Sequence, residues 1–439
     1  MTRPRLSVIG TGYLGATHAV CMAELGFQVL GLDVDKVKID RLSAGEIPFF
    51  EPGLEPLLRK NLDAGRLRFT TSYDEVGAFG DVHFVCVGTP QKTGGNAADM
   101  TYVDASFRAL FPVLRDGALL VGKSTVPAGT AERLAEELRD GATANGVELA
   151  WNPEFLREGF AVEDTLTPDR LVFGVRSSGA EDKLRAAFAP VIAHPTPVVV
   201  TDYATAQLVK VAANAFLATK ISFINAMAEV CEVTGGDVTM LSKALSYDTR
   251  IGGRFLHAGL GFGGGCLPKD IRAFMARAEE LGVDQALSFL KEVDAINMRR
   301  RARMVDLARE VVGGAFGGMR VGVLGAAFKP NSDDIRDSPA LDVAVAIQAQ
   351  GAAVCLYDPA AMDNARARHP QLGYRDNALE AARGADIVLH LTEWSEFRSM
   401  DPAVLSAVVT QRRIVDGRNA LDPARWRAAG WTYRALGRP

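Results

Sequence analysis

Short apolar runs alternate with longer amphipathic stretches over the first part of the chain. Runs that predict buried parallel strands occur at Leu6–Ile9, Val29–Leu32, 82–87, 119–123 and Leu171–Gly174. The amphipathic stretches between these runs predict helices that flank the sheet. The pattern therefore predicts a doubly wound nucleotide-binding domain over residues 1–198.

The pattern changes near Thr201. Residues 201–232 contain neither Pro nor Gly, are rich in Ala, and repeat apolar residues at helical spacing. This predicts one long buried helix, followed by further helices up to about Arg303. We expect this helix to act as a spine and as a dimer face, a second role that spacing alone does not establish.

Strands resume after two glycine pairs at 313–314 and 317–318. The candidates are 320–325, Ala353–Tyr357 and 386–391. Asp358 ends the second of these, as Asp33 ends Val29–Leu32, which indicates a weak internal repeat.

The predicted fold class is α/β, with two Rossmann-like doubly wound domains joined by a long central helix and a helical dimerisation region. The expected domains are a nucleotide-binding Rossmann-like domain at 1–198, a central helical domain at 199–305 and a C-terminal Rossmann-like domain at 306–439.

Composition excludes several classes of function. A net charge of −4, without basic tracts, argues against a nucleic-acid partner. No apolar run approaches the roughly 20 residues of a membrane helix, and no signal-peptide pattern precedes the first strand. The five cysteines are scattered and form no Cys-x-x-Cys pair, which is typical of reduced thiols and gives no metal site. We expect a cytoplasmic protein.

A dinucleotide-binding motif follows the first predicted strand. The motif is Gly10-Thr11-Gly12-Tyr13-Leu14-Gly15, whose glycines allow a tight turn and close approach of a pyrophosphate to helix N-terminal amides. Asp33 ends the next strand, where a carboxylate accepts ribose hydroxyls and repels a 2′-phosphate. NAD is therefore favoured over NADP. Lys38 either reaches the adenosine ribose or is a solvated surface lysine.

Two threonines follow later strands, at the expected carboxyl edge of the sheet. Thr89 lies in Gly-Thr-Pro (88–90) and Thr125 in Ser-Thr-Val-Pro (124–127). Ligands bind at this edge of such sheets. The hydroxyls are candidates for contact with the nicotinamide ribose or a catalytic water, and the alternative is that both are ordinary turn residues.

The most informative stretch is 259–270, where five glycines in seven residues precede Cys266. Such a loop is costly in backbone entropy and is tolerated where the chain passes close to a ligand. Pro268 indicates the first turn of a helix. A thiol at a helix N-terminus has a lowered pKa and is a candidate nucleophile, and Asp270, four residues on, would share its helix face. The alternative is a structural cysteine beside a flexible loop.

Further candidate groups suit a reaction that passes through an oxyanion. Lys210 and Asn214 lie four residues apart on an otherwise apolar face of the long helix, where buried polar groups need partners. An alkoxide is one such partner, and the alternative for the lysine is extension to the surface. Glu154 and Glu158, in 152–159, could each handle a proton during thioester hydrolysis.

Together these motifs resemble the UDP-glucose/GDP-mannose dehydrogenase family, nearly from end to end. The matching segments are GTGYLG (10–15), FFEPGLEPLL (49–58), GTP (88–90), KSTVPAGT (123–130), NPEFLREG (152–159), KVAANAFLATKISFIN (210–225), RIGGRFL (250–256), GFGGGCLPKD (261–270), FKPNSDDIRDSP (328–339), TEW (392–394) and DGRN (416–419).

The resemblance implies a four-electron oxidation of UDP-glucose to UDP-glucuronate that consumes two NAD and one water. It implies that Cys266 forms a thioester, that Lys210 and Asn214 steady the oxyanion, and that Asp270 helps with proton transfer. Glu154 and Thr125 would manage water or the thioester.

The resemblance also implies two sets of binding residues. The cofactor set is Gly10, Gly12, Tyr13, Leu14, Gly15, Asp33, Lys38, Thr89, Thr125, Glu158, Lys269 and Arg336. The substrate set is Glu154, Phe155, Leu156, Lys210, Asn214, Arg250, Phe255, Gly263, Phe328, Lys329 and Arg418. A homodimer or higher homo-oligomer is implied, with Arg250 contributed by the neighbouring subunit.

The chain departs from the commonest family pattern at a few positions. The loop before the nucleophile usually reads Gly-Gly-Ser-Cys-Phe-Pro, whereas this chain has Gly265 and Leu267. Leu at the latter position also occurs in GDP-mannose dehydrogenases, while the 328–336 segment favours UDP-glucose. Gln207 replaces a frequent acidic residue, and His257 stands where Asn or Lys is common. We expect both near the substrate.

Three alternatives remain at this stage. The first is a dehydrogenase for another nucleotide sugar, such as GDP-mannose. The second is a one-step 2- or 3-hydroxyacid dehydrogenase, which needs no nucleophilic thiol, and the third is a catalytically silent NAD-binding regulator. The favoured reaction yields two NADH per substrate, the hydroxyacid reaction one, and the regulator none.

Overall fold

The computed structural model describes residues 3–439, and the chain folds as two compact units. Among the described residues, unit 1 comprises those up to Ala213 together with Arg272–Gly282, and unit 2 comprises Asn214–Ile271 and Val283–Pro439. Each unit contains one open, mainly parallel sheet with helices, as predicted for a chain with two Rossmann-like domains.

The sheet of unit 1 has the order β3-β2-β1-β4-β5-β6-β7-β8. Its strands are β1 (Leu6–Ile9), β2 (Val29–Leu32), β3 (Leu67–Thr70), β4 (Val82–Val85), β5 (Leu119–Gly122), β6 (Glu148–Trp151), β7 (Leu171–Gly174) and β8 (Val198–Thr201). Neighbouring strands are parallel except for the antiparallel pair β6 and β7. This order places the carboxyl ends of β1, β2, β4 and β5 together on one edge of the sheet.

Burial explains which strands the sequence pattern revealed. The five predicted strands, β1, β2, β4, β5 and β7, are buried at every residue. Two of them end earlier than predicted, at Val85 and Gly122. β3, β6 and β8 were missed: β3 and β8 are half-exposed edge strands, and β6 begins with a partly exposed glutamate. Such strands lack the continuous buried run on which the prediction rests.

The helices of unit 1 lie between these strands in the chain. They are α1 (Tyr13–Glu24), α2 (Lys36–Ser43), α3 (Leu54–Asp63), α4 (Tyr73–Phe79), α5 (Thr101–Leu110), α6 (Thr130–Gly141), α7 (Ala161–Leu166), α8 (Ser178–Ala187) and α9 (Ala189–Ile192), with a 3-10 turn at Phe111–Val113.

The long helix predicted from 201–232 is confirmed as α10 (Tyr203–Thr234). It begins two residues later than predicted because the Asp202 carboxylate accepts a hydrogen bond from the Thr205 N–H, 2.7 Å, as an N-cap does. By length and composition α10 could cross a membrane, with a mean hydropathy of 1.3 in its most apolar window, and 44% of that window is buried in the protein. The buried core helix of a folded domain meets the same criterion, so this feature is weak evidence for a span.

The remaining helices before the second sheet carry candidate site residues. They are α11 (Val238–Ser246), α12 (Leu267–Glu280) and α13 (Phe289–Val312), with a 3-10 turn at Asp284–Leu287.

The sheet of unit 2 has the order β11-β10-β9-β12-β13-β14, with all neighbours parallel. Its strands are β9 (Arg320–Leu324), β10 (Ala353–Tyr357), β11 (Gly373–Tyr374), β12 (Ile387–His390), β13 (Arg413–Asp416) and β14 (Thr432–Ala435). Its helices are α14 (Pro339–Gln348), α15 (Met362–Arg368), α16 (Ala378–Ala382), α17 (Ser395–Ser399), α18 (Pro402–Ser406) and α19 (Pro423–Ala428). This strand order repeats that of β1 to β6 in unit 1, which confirms the second Rossmann-like domain.

The second sheet has a carboxylate at the position equivalent to Asp33, but the protein itself supplies the hydrogen-bond donors to this carboxylate. Asp358 follows β10, is 1% exposed, and accepts hydrogen bonds from the N–H groups of Ala326 and Ala327 at 2.7 and 3.0 Å. It also accepts from the Trp394 indole and from the N–H groups of Ala360 and Ala361. These bonds make Asp358 a structural brace of its domain.

Candidate active site

The glycine motif of unit 1 forms the cradle expected of a dinucleotide site. Gly10 has φ +86°, and a Cβ on Gly15 would lie 1.7 Å from the Gly10 carbonyl oxygen, so no larger residue fits there. Gly12 is the N-cap of α1 and supplies no side-chain cap, and a Cβ there would meet open space. The first amides of α1 are thus left for a ligand, which fits a pyrophosphate.

Asp33 ends β2 at the same edge of the sheet. Its Oδ2 accepts from the N–H and hydroxyl of Thr11 at 2.9 and 3.1 Å and from the Lys38 ammonium at 2.8 Å. Burial raises the pKa of Asp33, but the hydrogen bonds from Lys38, Asp35 N–H and Thr11 N–H outweigh it and hold the pKa below its usual value. Lys38 is therefore an ion-pair partner of Asp33 and not a solvated lysine.

A buried carboxylate that the sequence analysis did not single out connects the dinucleotide motif with the 152–159 loop. Glu51 is 7% exposed and accepts from the Tyr13 hydroxyl, from the Gly159 N–H at 2.7 Å and from the Ala161 N–H at 2.8 Å. Burial and this bond to Glu51 raise the pKa of Tyr13. The only sequence signal for Glu51 is its place in the 49–58 segment.

The two threonines predicted at the sheet edge lie together. The Thr89 hydroxyl donates to the Thr125 carbonyl, 2.8 Å, and so links the turns that follow β4 and β5. The Ser124 hydroxyl donates to the Val87 carbonyl, 2.6 Å, and strengthens the same link. The turns therefore form one connected edge and are not independent loops.

Lys210 is buried and forms an ion pair with Glu154. The Nζ to Oε1 distance is 2.9 Å, and the side chains are 5% and 13% exposed, which excludes extension of the lysine to the surface. Burial raises the pKa of Glu154, but the charge and hydrogen bond of Lys210, the Leu156 N–H at 2.6 Å and the charge of Lys123 outweigh it and lower the pKa. The Glu154 carboxylate is thus charged at neutral pH.

Other residues of the 152–159 loop surround this pair. The Phe155 ring lies 5.8 Å from the Lys210 ammonium and 3.8 Å from the Arg170 guanidinium, measured to the ring centroid. Glu158 is partly buried. A second buried lysine, Lys123, donates to Asn152 at 2.8 Å, and burial lowers its pKa, with a further lowering from the charge of Lys210. Its sequence signal is its place at the start of the 123–130 segment.

Gln207 has a structural role. It is 2% exposed, and its Oε1 accepts from the N–H groups of Thr130 and Ala131 at 3.1 and 3.2 Å. These are the first two amides of α6, so Gln207 caps that helix from a distance of 77 residues along the chain. Its Nε2 donates to the Tyr203 carbonyl and to Glu132, which a glutamate at 207 could not do.

In unit 2, Cys266 lies at the N-terminus of a helix, as predicted. Helix α12 begins at Leu267, and the Cys266 carbonyl accepts the first helical hydrogen bond, from Asp270 N–H at 2.9 Å. Cys266 is exposed, whereas Asp270 is 2% exposed. The two side chains therefore differ in their access to solvent, and the expectation that they share one helix face stays a prediction.

Asp270 is held by two neighbours within unit 2. Its Oδ2 accepts from the Asn214 amide at 2.7 Å, and Lys269 lies 2.7 Å from its Oδ1. Asn214 is 7% exposed. The carboxylate that follows the thiol by one helical turn thus has a fixed orientation.

The glycines before Cys266 allow close packing against the 328–339 segment. A Cβ on Gly263 would lie 2.3 Å from the Asp337 carbonyl, and one on Gly264 would lie 2.7 Å from the Phe328 ring. A Cβ on Gly265 would lie 2.2 Å from the Arg336 guanidinium carbon. Gly265, the departure from the usual serine, therefore leaves room for Arg336, which is also paired with Asp334 at 2.8 Å.

Arg418 is engaged with the protein backbone. Its guanidinium donates to the carbonyls of Leu391, Gly261 and Phe328 at 2.7, 3.1 and 2.9 Å. It also lines a cavity of about 380 Å³ in unit 2 together with His257. His257 and Phe255 lie near each other in the chain before the glycine loop, and Phe255 has φ +65°, a strained value for a bulky residue.

The two remaining substrate candidates of unit 2 are at the surface or on the 328–339 segment. Arg250 is 88% exposed and pairs with Asp248 at 2.6 Å. The Lys329 ammonium lies 5.5 Å from the centroid of the Phe328 ring. The candidates thus divide between the units: the glycine motif, Asp33, both threonines, Glu154 and Lys210 belong to unit 1, and Asn214 and the residues from 250 to 270 and from 328 onward belong to unit 2.

Comparisons with known proteins cover almost the whole chain. Residues 4–192 match the UDP-glucose/GDP-mannose dehydrogenase family NAD binding domain, residues 204–299 its central domain and residues 322–423 its UDP binding domain.

Individual relatives are similar over their full length. UDP-glucose 6-dehydrogenase of Rhizobium meliloti (strain 1021) is 40% identical, covering 99% of this chain and 100% of the relative. UDP-glucose 6-dehydrogenase of Pseudomonas aeruginosa is 41% identical, covering 99% of this chain and 98% of the relative. The solved UDP-glucose dehydrogenase of Pyrobaculum islandicum is 38% identical with a TM-score of 0.91, covering 100% of this chain and 98% of that one.

Proposed function

The chain belongs to the UDP-glucose/GDP-mannose dehydrogenase family, and from this premise we propose that it oxidises UDP-glucose to UDP-glucuronate through a thioester on Cys266. It is an NAD-dependent oxidoreductase that acts on a nucleotide sugar. The substrate assignment is supported by the names of the relatives at 40 and 41% identity. We place NAD binding in residues 1–198, the central helices in 199–305 and UDP-sugar binding in 306–439.

The observation that carries the mechanism is the position of Cys266. An exposed thiol at the N-terminus of a 14-residue helix, after a buried glycine loop, is suited to nucleophilic attack. A single oxidation of an alcohol needs no such group. The placement of Cys266 therefore favours a second oxidation at the same carbon.

The proposed steps balance in atoms and electrons. The primary alcohol loses two electrons and two protons and becomes an aldehyde. The Cys266 sulfur adds to the aldehyde carbon to give a hemithioacetal, whose oxidation by two further electrons gives the thioester. Water then cleaves the carbon–sulfur bond, releases the carboxylate and restores the thiol. NAD held at the glycine motif would supply the hydride acceptor, one molecule for each of the two oxidations.

We propose roles for the polar side chains on the family pattern, and their partners in the structure support these roles. Lys210 carries a positive charge fixed by Glu154 and would stabilise the alkoxide of the substrate, with Asn214 as a second donor. Asp270, oriented by Asn214 and Lys269, would assist proton transfer. Glu154 and Thr125 would hold the water for thioester hydrolysis.

The binding residues are assigned on the family pattern. For the cofactor we propose Gly10, Gly12, Tyr13, Leu14, Gly15, Asp33, Lys38, Thr89, Thr125, Glu158, Lys269 and Arg336. For the substrate we propose Glu154, Phe155, Leu156, Lys210, Asn214, Arg250, Phe255, Gly263, Phe328, Lys329 and Arg418.

We further propose that the protein is a homodimer or a higher homo-oligomer with Arg250 contributed in trans. Phe216, Phe223 and Val230 are spaced seven residues apart on α10 and are 66, 48 and 53% exposed. Large apolar residues repeated at this spacing form a stripe along one helix face, which is typical of a helix-helix interface.

A reactive thiol and an NAD-dependent reaction suit the reducing cytoplasm, where we place the protein.

The decisive experiment measures NADH formed per molecule of limiting UDP-glucose with excess NAD, and repeats it with GDP-mannose. Two NADH from UDP-glucose and little from GDP-mannose support the proposal. The reverse preference keeps the thioester mechanism and changes the substrate. One NADH per substrate contradicts the four-electron mechanism, and none from either substrate contradicts both assignments.

A further inference from the structure

The glycine loop before Cys266 is buried although it belongs to neither a helix nor a strand. Gly259, Leu260, Gly261, Phe262, Gly263 and Gly264 are all buried, and five of the seven residues from 259 to 265 are glycine. Each buried N–H and C=O of such a loop needs a partner, and glycines lose more conformational entropy on ordering than other residues. Something must therefore fix this loop in one conformation.

Polar side chains form the hydrogen bonds to the loop backbone that a neighbouring strand would form in a sheet. The Phe262 N–H donates to Asn297 Oδ1 at 2.7 Å, and the Asn297 amide donates back to the Phe262 carbonyl at 3.0 Å. Asn297 lies on α13 and is fully buried. One side chain thus satisfies both backbone groups of one residue, as a paired strand does.

Further contacts fix the loop on both sides of Phe262. The Asn225 side chain accepts from the Gly259 N–H at 2.8 Å, and Arg301 of α13 donates to the Phe262 carbonyl at 3.3 Å. The Asp334 carboxylate accepts from the Gly265 N–H at 3.1 Å, immediately before Cys266. The path from Asn297 to the thiol is therefore continuous.

The fit between the loop and Asn297 is close. Gly261 has φ +91°, and a Cβ there would lie 2.1 Å from Asn297 Oδ1. Any side chain at 261 would push the amide away from Phe262. The glycine and the asparagine depend on each other.

We propose that Asn297 is a positioning residue that sets the location of the Cys266 thiol by clamping the glycine loop through Phe262. In this role Asn297 acts through the loop and not by direct contact with the thiol or a reacting atom. The inference rests on the proposed role of Cys266 as nucleophile. A displacement of about 1 Å in a reacting group can cost 100-fold in rate, so a clamp four residues away matters for catalysis.

The test uses two variants, Asn297→Asp and Gly261→Ala. Asn297→Asp keeps the shape of the side chain and its acceptor but removes the donor to the Phe262 carbonyl. Gly261→Ala disturbs the same contact from the loop side. The matched control is Met298→Leu, at the next residue of α13 and 43% exposed. We expect both variants to lower kcat by about 10- to 100-fold, while the KM for NAD stays unchanged. The kcat of Met298→Leu should equal that of the parent enzyme.

Two readouts separate positioning from simple destabilisation. If the clamp positions the thiol, the aldehyde should escape before the second oxidation and be captured by hydroxylamine, whereas a destabilised but correctly assembled enzyme would release none. Labelling of Cys266 by iodoacetamide, followed by mass spectrometry on folded protein below its melting temperature, should slow several-fold, because a displaced thiol loses the favourable helix N-terminus.

Unchanged kcat and labelling in folded Asn297→Asp and Gly261→Ala would overturn the proposal. The labelling assay needs no substrate, so its result stands even if Cys266→Ser retains full turnover. In that case the thioester mechanism fails while the clamp on the loop is still tested.

Discussion

The ammonium of Lys210 lies 2.9 Å from the carboxylate of Glu154, and both side chains are nearly withdrawn from solvent. A buried pair of this kind is costly to break, because removal of one partner leaves the other charge uncompensated. The pair therefore connects the stability of unit 1 to the chemistry proposed for it.

We predict that Glu154→Gln lowers the free energy of unfolding by about 3 kcal/mol at pH 7. The folded-state pKa of Glu154 lies below its usual value. The stabilisation is therefore complete above the unfolded-state pKa of about 4.3 and is lost as pH falls through the folded-state value. Urea unfolding at neutral and acidic pH checks this, with the exposed Glu55→Gln as control, which should cost less than about 1 kcal/mol. A difference that does not shrink in acid would contradict the prediction.

Cys266→Ser should reduce turnover of UDP-glucose by roughly 1,000-fold or more, the scale seen when a covalent nucleophile is removed. Binding of NAD, followed by fluorescence titration, should stay within about twofold of the parent, because the glycine cradle and Asp33 belong to unit 1. The control is Cys355→Ser, since Cys355 lies in β10. Unchanged overall turnover in Cys266→Ser would exclude the thioester.

Asp33→Asn should raise the KM for NAD by about 10-fold, on the scale of a lost charged hydrogen bond, and should allow NADP to be used. The physical reason is that the amide no longer repels a 2′-phosphate. Steady-state kinetics with both cofactors measure the effect. Asp40→Asn serves as the control, because Asp40 is exposed and pairs with Lys36. An unaltered preference for NAD would assign the discrimination to another residue.

Gln207→Ala should destabilise the protein by about 1–3 kcal/mol, because two amides at the start of α6 lose their acceptor in a buried place. Glu136→Gln, on the exposed side of the same helix, should change stability by less than about 0.5 kcal/mol. Thermal unfolding of both variants gives the comparison. If Gln207→Ala melts with the parent, the cap contributes nothing measurable.

Phe223→Asp should increase the fraction of monomer in sedimentation velocity, because it places a charge in the middle of the apolar stripe on α10. Val404→Asp, which changes an apolar residue of α18 that is 51% exposed, should leave the assembly unaltered. An oligomer that survives Phe223→Asp would place the interface elsewhere.

Sequence patterns predicted the parts of the fold that are buried on every side. A continuous apolar run such as Leu171–Gly174 predicts a central strand because both of its faces are covered. β3, with Arg68 in its middle, and the two-residue β11 give no such signal, because edge strands bury only part of their surface. Helix α10 was predicted within two residues because nothing in it breaks a helix.

The candidate site was predictable where its functional residues are neighbours in the sequence. The glycines, Cys266 and Pro268 stand next to one another, and so do Gly10, Gly12 and Gly15. Glu51 and Asn297 each act on partners that are distant in the chain, 108 residues away for Glu51 and Gly159 and 35 for Asn297 and Phe262. Their isolated positions in the sequence carry no periodicity, and only the fold reveals their partners.

The hydrogen bonds of Asp358 show that two domains with the same architecture use the same carboxylate position differently. In each of the two sheets an aspartate follows the second strand, yet the Asp358 carboxylate accepts hydrogen bonds from four backbone amides of its own domain and from an indole. Asp33, by contrast, has the partly exposed Lys38 ammonium as one of its partners. Topology alone predicts two equivalent carboxylates, whereas the hydrogen bonds show that Asp33 and Asp358 have different kinds of partner. The shared strand order therefore preserves the scaffold, while the carboxylate that follows the second strand holds together its own domain in unit 2.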